Sequence, residues 1–353
     1  MSVLFVTRKY PPEKGGMETF SYELFKHLKT KKKLIALKKP NAHLIWFLTY
    51  AFTKTLINAH KYDTILYGDA VFGFMAKIIK KLTKKPTAIA IHGLDITHPS
   101  KLHQTLNVNS LKHADSIVAV STYTKALAEK SSIPSDKISV IPNGIVKNMQ
   151  PFIFPKPRIF LEKLINRSLE NKKVIVSLGR LVKRKGFLWF VKNVAEALPQ
   201  NIVYIIVGNG PEKSDIINAI QQKKLENVFL VDSVSDMERT KLYTEADLFI
   251  MPNITVNNDP EGFGIVALEA ASHGTPVVAS NIQGTTDAVK TEMGVLISEK
   301  SKTDFLRTIT SLLDDDLVLR TLSKSAYTFT NYYCTWDKVA KQYESLLEKI
   351  TTS

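Results

Sequence analysis

Short apolar runs rich in Val and Ile alternate along the chain with longer segments whose apolar residues recur at helical spacing. In the first half, SVLFVT (2–7), KLIALK (33–38), DTILYG (63–68), TAIAIHG (87–93) and DSIVAVS (115–121) predict strands, and KISVIPNGI (137–145) closes the series. Between them, GMETFSYELFKHLK, HLIWFLTYAFTKTLINA and AVFGFMAKIIKKL predict helices. Apolar strands alternating with helices point to a parallel sheet covered on both faces.

The pattern then resets. After a basic stretch containing prolines, MQPFIFPKPRIF (149–160), the run NKKVIVSLGR (171–180) reads as a new first strand. NIVYIIVGNG, NVFLVDS, DLFIMPN, TPVVAS and GVLIS follow, again with helices between them, and CTWDKVAKQYESLLEKI is a last amphipathic helix. A chain of 353 residues is long for one core. The reading is therefore α/β with two doubly wound domains, 1–155 and 156–330, followed by a helical tail at 331–353. Ligands of open parallel sheets sit beyond the carboxyl ends of the strands. Polar and glycine residues gather there in both halves, so the sequence predicts that two such crevices share one cleft.

Composition and charge change this picture in four ways. Apolar residues at 44% and charged residues at 23% are those of a soluble globular protein. No run of about 18 apolar residues is present, and MSVLFVTRKYPP reads as a strand and not as a secretory signal. The single cysteine, Cys334, excludes an intrachain disulfide and a cysteine-based metal cluster, and it suits a reducing cytoplasm. The net charge of +15 owes much to lysines in 26–40 and 77–86. Nucleic acid, an anionic membrane surface or phosphate-bearing small molecules would each suit that charge, as would a merely solvated surface.

Candidate chemistry concentrates in NNDPEGFGIVALEAASHGTPVVAS (257–280). If a helix runs from Gly262 to Ala271, its first amides at Gly262, Phe263 and Gly264 lie where bare backbone and the helix dipole favour an anion. Glu261 and Glu269 would then stand roughly 12 Å apart along its axis. That is about the length of a diphosphate with a sugar at one end and a ribose at the other. Carboxylates accept strong hydrogen bonds from such hydroxyls. A helix-capping Glu261 and a solvated Glu269 would explain the same spacing. SLGRLVKRKGF places Arg180 and Lys185 after a strand, as phosphate-binding cations. EKGGME sets Gly15 and Gly16 before a helix, and AIAIHGLD presents His92 just past a strand with Asp95 nearby.

Together, PPEKGGMETF, HGLD, VIPNGI, SLGRLVKRKGF, VGNGP and EGFGIVALEAASHGTPVVAS resemble the retaining GT-B glycosyltransferases of family four, over essentially the whole chain. The last block is the most specific of these. The resemblance implies two Rossmann-like domains and a C-terminal helix that crosses back onto the first. It implies that Glu261 contacts the donor sugar and Glu269 the ribose. Gly16 would offer its amide to the diphosphate, Arg180 and Lys185 would neutralise it, and His92 would hydrogen-bond the sugar. Gly15, Gly208, Ile265 and Val266 complete the implied donor set with Gly262, Phe263 and Gly264. The donor is a nucleotide-diphosphate sugar, UDP before GDP, and neither a cofactor nor a metal is implied. Three positions depart from the family pattern: Val146 and Asp287 replace common acids, and FLVDSVSD lacks a frequent glycine.

Rival readings are weaker. A nicotinamide dehydrogenase needs G-x-G-x-x-G, and VGNGPEKS supplies only two of its glycines. A nucleotide-sugar epimerase or hydrolase would share the architecture. A nucleic-acid binder would share the charge, but neither an RNA motif nor an aromatic platform is present. Asp314, Asp315 and Asp316 read as a solvated helix face, and the scattered histidines lack ligand spacing. The lysines beside Trp46, Phe47, Tyr50 and Phe52 point to a glycan or lipid-linked glycan acceptor met at the cytoplasmic membrane face, and a helix that simply covers the first sheet would explain the same residues.

Overall fold

Strand runs buried on both faces are what a covered parallel sheet demands, and the computed structural model contains two such sheets. It describes residues 1–13, 15–38 and 43–352. Lys14 of the EKGGME loop and Lys39 of the first basic stretch lie outside the described residues. The first sheet contains β1 (Ser2–Thr7), β2 (Lys31–Ala36), β3 (Thr64–Tyr67), β4 (Thr87–Ile91), β5 (Ser116–Ala119) and β6 (Ile138–Val140), in spatial order β2-β1-β3-β4-β5-β6. The second contains β7 (Lys173–Leu178), β8 (Ile202–Val207), β9 (Val228–Val231), β10 (Leu248–Met251), β11 (Val277–Ser280) and β12 (Gly294–Ile297), ordered β12-β11-β10-β7-β8-β9. The strand pairs in both are parallel. The strand order reverses direction at β1/β3 in one sheet and at β7/β10 in the other, and such switch points hold the ligand crevices of doubly wound folds.

Inner strands match the sequence expectation because their side chains are buried throughout: β1, β3, β4 and β5 expose nothing. The second strand differs. It begins at Lys31 and not at Lys33, taking in a run of three lysines with alternating exposure. β2 is an edge strand paired with β1 alone, where lysines are tolerated and discourage further strand addition.

Two compact units emerge, with bounds other than 155 and 330. One contains Met1–Val146, Asn258–Phe263 and Thr335–Ser353, and the other Lys147–Asn257 and Gly264–Cys334. The segment after Val146 belongs with the second unit because its polar groups are satisfied there. The Asn331 side chain accepts from the Asn148 amide at 2.7 Å, Tyr327 Oη donates to the Gln150 carbonyl at 2.6 Å, and Lys156 Nζ donates to Thr275 Oγ1 at 2.6 Å. The helix Trp336–Thr352 belongs to the first unit. Trp336 and Tyr343 close on Phe20 with ring centroids 6.1 and 6.0 Å away. The Glu344 carboxylate accepts from the Lys29 and Thr30 amides at 2.6 and 2.9 Å.

Candidate functional site

In the first unit the polar groups gather past β1, β3 and β4. The helix Gly16–His27 starts at Gly16, and the Thr19 amide bonds back to the Gly15 carbonyl at 3.0 Å. The amides ahead of Thr19 are the unsatisfied ones at a positive helix end. Among the described residues, a β-carbon on Gly16 would meet no atom within 4 Å, so that end is open to an approaching group. Lys9 pairs with Glu18 at 2.9 Å in the same first turn, and Arg8 with the buried Asp69 at 3.1 Å.

His92 follows β4 directly, and its ring meets Phe20 edge-on with centroids 4.6 Å apart. Its Nε2 lies 2.9 Å from the Gly68 carbonyl. A carbonyl can only accept, so Nε2 carries the proton and Nδ1 is the nitrogen left for other work. Asp95 fixes the surrounding backbone: one carboxylate oxygen accepts from the His92 amide at 2.8 Å and the other from the Ala70 amide at 3.0 Å. HGLD thus contains its own brace.

Glu261 lies in the same unit. Residues 258–263 pack on the loops after β4 and β5, where Ser121 Oγ donates to the Gly262 carbonyl at 2.7 Å. A β-carbon on Gly262 would overlap the His92 carbonyl oxygen, and one on Gly93 would stand 3.4 Å from the Gly262 α-carbon. Gly262 therefore comes alongside His92, and its neighbours Glu261 and Phe263 are buried.

This placement corrects the expected helix. It starts at Ile265 and not at Gly262. Gly264 takes φ 90, a left-handed conformation that glycine adopts freely, and the Gly262 carbonyl is committed to Ser121. The amides at the helix start are therefore those of Ile265 and Val266, since the Ala267 amide bonds to the Gly264 carbonyl at 3.0 Å. The 12 Å helical spacing between Glu261 and Glu269 no longer applies, because the two glutamates fall in different compact units.

The second unit presents its own group at the β7/β10 switch. Leu181 bonds to the Asn209 carbonyl at 2.9 Å, and the Glu212 amide bonds to the Leu181 carbonyl at 3.0 Å, stitching the loops after β7 and β8 together. Gly208 permits this: a β-carbon there would overlap the Gly179 carbonyl. Gly186, at φ 69, lets the next loop close on Pro252, and the Ile254 amide bonds to the Arg184 carbonyl at 2.9 Å. Within this frame Arg180 is exposed, while Lys185 is buried with its stem beside Gly179. Lys185 and Gly208 thus both come against Gly179, the residue before Arg180.

Glu269 sits on the helix Ile265–Ser272 and meets the helix Asp236–Glu245. Tyr243 Oη donates to its Oε2 at 3.0 Å, and Arg239 Nε lies 3.8 Å from the same oxygen. Burial raises the Tyr243 hydroxyl well above the usual phenol range, with the Glu269 carboxylate adding to it, so Tyr243 remains a donor. The sequence carries no sign of either partner, because RTKLYTEAD has only ordinary helix spacing. Among the described residues, no group of three or more His, Cys, Asp or Glu side chains is arranged to hold a metal ion. No helix among them is long and apolar enough to cross a membrane.

Known proteins match this architecture. The profile of the glycosyl transferases group 1 covers residues 161–329, and that of glycosyltransferase family 4 covers 3–148. An uncharacterised glycosyltransferase of Methanocaldococcus jannaschii is 25% identical over 97% of this chain and 96% of its own length. A UDP-Gal:alpha-D-GlcNAc-diphosphoundecaprenol alpha-1,3-galactosyltransferase of Escherichia coli is 24% identical over 76% of this chain and 71% of its own. The crystal structure of Anabaena HepE in complex with UDP superposes with a TM-score of 0.78 at 19% identity, over 99% of this chain and 100% of that one. Its likeness, like that of other GT-B structures, establishes the fold. With both profiles matched in sequence order over most of its length, the chain belongs to the group 1, family-4-like glycosyltransferases.

Proposed function

We propose that the protein transfers a hexosyl unit from a nucleotide-diphosphate sugar to a hydroxyl of a lipid-linked glycan, retaining anomeric configuration and using no metal. The observation that carries this reading is the packing of the Glu261–Gly262 backbone against His92 in one unit. It sets the segment that carries the buried Glu261 against the loop of His92, whose Nδ1 is uncommitted among the described residues. Glu261 accepts from donor-sugar hydroxyls, and His92 Nδ1 bonds a further hydroxyl near the anomeric carbon.

As the bond from the anomeric carbon to the β-phosphate oxygen breaks, negative charge grows on that phosphate. Arg180, Lys185 and the amides at Ile265 and Val266, all of the second unit, stabilise it, doing the work a metal would otherwise do. The acceptor hydroxyl attacks from the face the phosphate leaves, and its proton passes to a phosphate oxygen. Glu269 accepts from the ribose through Oε1 while Tyr243 holds Oε2. UDP is the first choice of base and GDP the second. The UDP complex of the HepE structure and the UDP-galactose named for the Escherichia coli relative support that order, and the diphosphoundecaprenol named there supports a lipid-linked acceptor.

A thermal-shift series with UDP, GDP and ADP tests the reading. A ligand at about 100 times its Kd should add roughly 2.7 kcal/mol to the folded state. One base should stabilise the protein ahead of the others with EDTA present, and indifference to all three would remove the proposal. Proton NMR of the product then reports whether configuration is retained.

A further inference from the structure

The helix Leu44–Asn58 has two faces of unlike character. Phe47, Ala51, Thr55 and Asn58 are buried against the first sheet. Phe52 packs partly against the same core, so two of the four aromatics seen in the sequence are structural. The opposite face leaves Ile45 and Trp46 each 79% exposed, with Tyr50 and Ile57 also more than half exposed. Single exposed apolar residues are ordinary on a protein surface. A run of them along one helical stripe, headed by an indole, is not.

A second helix lies alongside. Phe47 meets Phe72 with ring centroids 6.4 Å apart, which brings the helix Gly73–Thr83 alongside. Phe74, Lys77 and Lys81 recur at helical spacing on one face of it, and all three are exposed. Lys80, one position away, points elsewhere and pairs with Asp115 at 2.7 Å. Lys77 and Lys81 form no ion pair among the described residues. Across residues 43–85 the carboxylates are Asp63, committed to the Ser2 amide at 2.7 Å, and the buried Asp69.

From this juxtaposition we infer that the two-helix face of Leu44–Asn58 and Gly73–Thr83 docks on an anionic lipid bilayer. The chemistry selects this occupant. Trp and Tyr settle at the headgroup level, Ile45 and Phe74 reach the acyl boundary, and ammonium groups beside them meet phosphate headgroups. A second copy of the chain would bring the same lysines against each other, which like charges oppose. The inference concerns binding to lipid and stands apart from the transfer reaction, so its failure would leave the proposed activity untouched.

The test is flotation of the full chain with vesicles of phosphatidylcholine, with and without about a third phosphatidylglycerol. The protein should float with the anionic vesicles alone, and about 0.5 M salt should release it, since screening shortens the reach of the lysines. Lys77→Glu with Lys81→Glu should lower partitioning by about tenfold or more. Ile45→Ser with Trp46→Ser should abolish it while the melting temperature holds. Trp336 is buried and Trp189 packs on the second unit's core beside Phe305, so a blue shift of fluorescence on vesicle addition should vanish in Trp46→Phe. Equal flotation with neutral vesicles, or variants that float like the wild type, would overturn the inference. So would a dimer in light scattering that dissociates on Trp46→Ser while no vesicle is bound.

Discussion

The His92 carbonyl oxygen occupies the place a β-carbon on residue 262 would need, so that position accepts glycine alone. The contact holds a segment from late in the chain against the loop after β4, and Ser121 completes it at 2.7 Å. Gly262→Ala must therefore push the Glu261 backbone off His92. Overpacking of this kind costs about 1–3 kcal/mol. The melting temperature should fall by several degrees and transfer should drop steeply; an unchanged enzyme would mean the contact is incidental.

Gly16 offers the contrasting case. No atom of the described residues lies within 4 Å of an added β-carbon, so Gly16→Ala should fold as well as the wild type. A methyl there would instead crowd the open amides of the helix start. The expected result is a raised donor KM at unchanged melting temperature. Parity in both measurements would take Gly16 out of the donor site.

Glu261→Ala and Lys185→Ala should each abolish transfer with the fold intact. Loss of one group that stabilises developing charge commonly costs about 100-fold or more in kcat. Circular dichroism checks the fold and radiolabelled donor checks turnover. Wild-type turnover in either variant would remove that residue from the mechanism.

Tyr243 tests the second carboxylate. Tyr243→Phe keeps the ring against Phe249, at a 5.6 Å centroid separation, and deletes only the hydroxyl bonded to Glu269. Losing one such bond costs about 1 kcal/mol, or roughly fivefold. The loss should appear as weaker nucleotide binding, with kcat little changed. If kcat falls instead and affinity holds, Glu269 is not a ribose ligand.

Lys156 should write a pH dependence onto stability. It is buried against Thr275, and desolvation pushes its ammonium from the ordinary 10.5 down to about 7. Between those values the unfolded chain holds a proton that the folded one has lost. Stability therefore climbs as pH rises from about 7 toward 10, by up to about 1.4 kcal/mol per unit, and this contribution is flat below 7. Lys156→Met should flatten the climb, as urea titrations at pH 7, 8 and 9 would report. Parallel profiles would mean the ammonium is not desolvated in solution.

Most of the fold was legible because inner strands of a covered sheet are buried throughout and so mainly apolar, as β1, β4 and β8 are. β2 was misplaced by two residues because an edge strand tolerates the lysines that looked like loop. The helix start at Ile265 was hidden for a different reason. EGFG has the composition of a helix start, and only the commitments of Gly262 to Ser121 and His92, more than 130 residues away, pull it out of the helix. The division after Val146 was equally hidden, since Asn148, Gln150 and Lys156 reveal their partners only once folded. Of the site, the strand-end residues Arg180, Lys185 and His92 stood out by position. The partners of Glu269 did not, because a tyrosine and an arginine at helix spacing look like any surface pair.

The chain passes from one compact unit to the other four times, at 146/147, 257/258, 263/264 and 334/335. A gene cut at residue 146 would thus not yield a free-standing half. The fragment would lack Trp336 and Tyr343, leaving Phe20 bare, and it would also lack the six-residue visitor that carries Glu261. Such interlacing makes the polypeptide inheritable only whole, and domain-swapping experiments on it should graft three separate segments and not one.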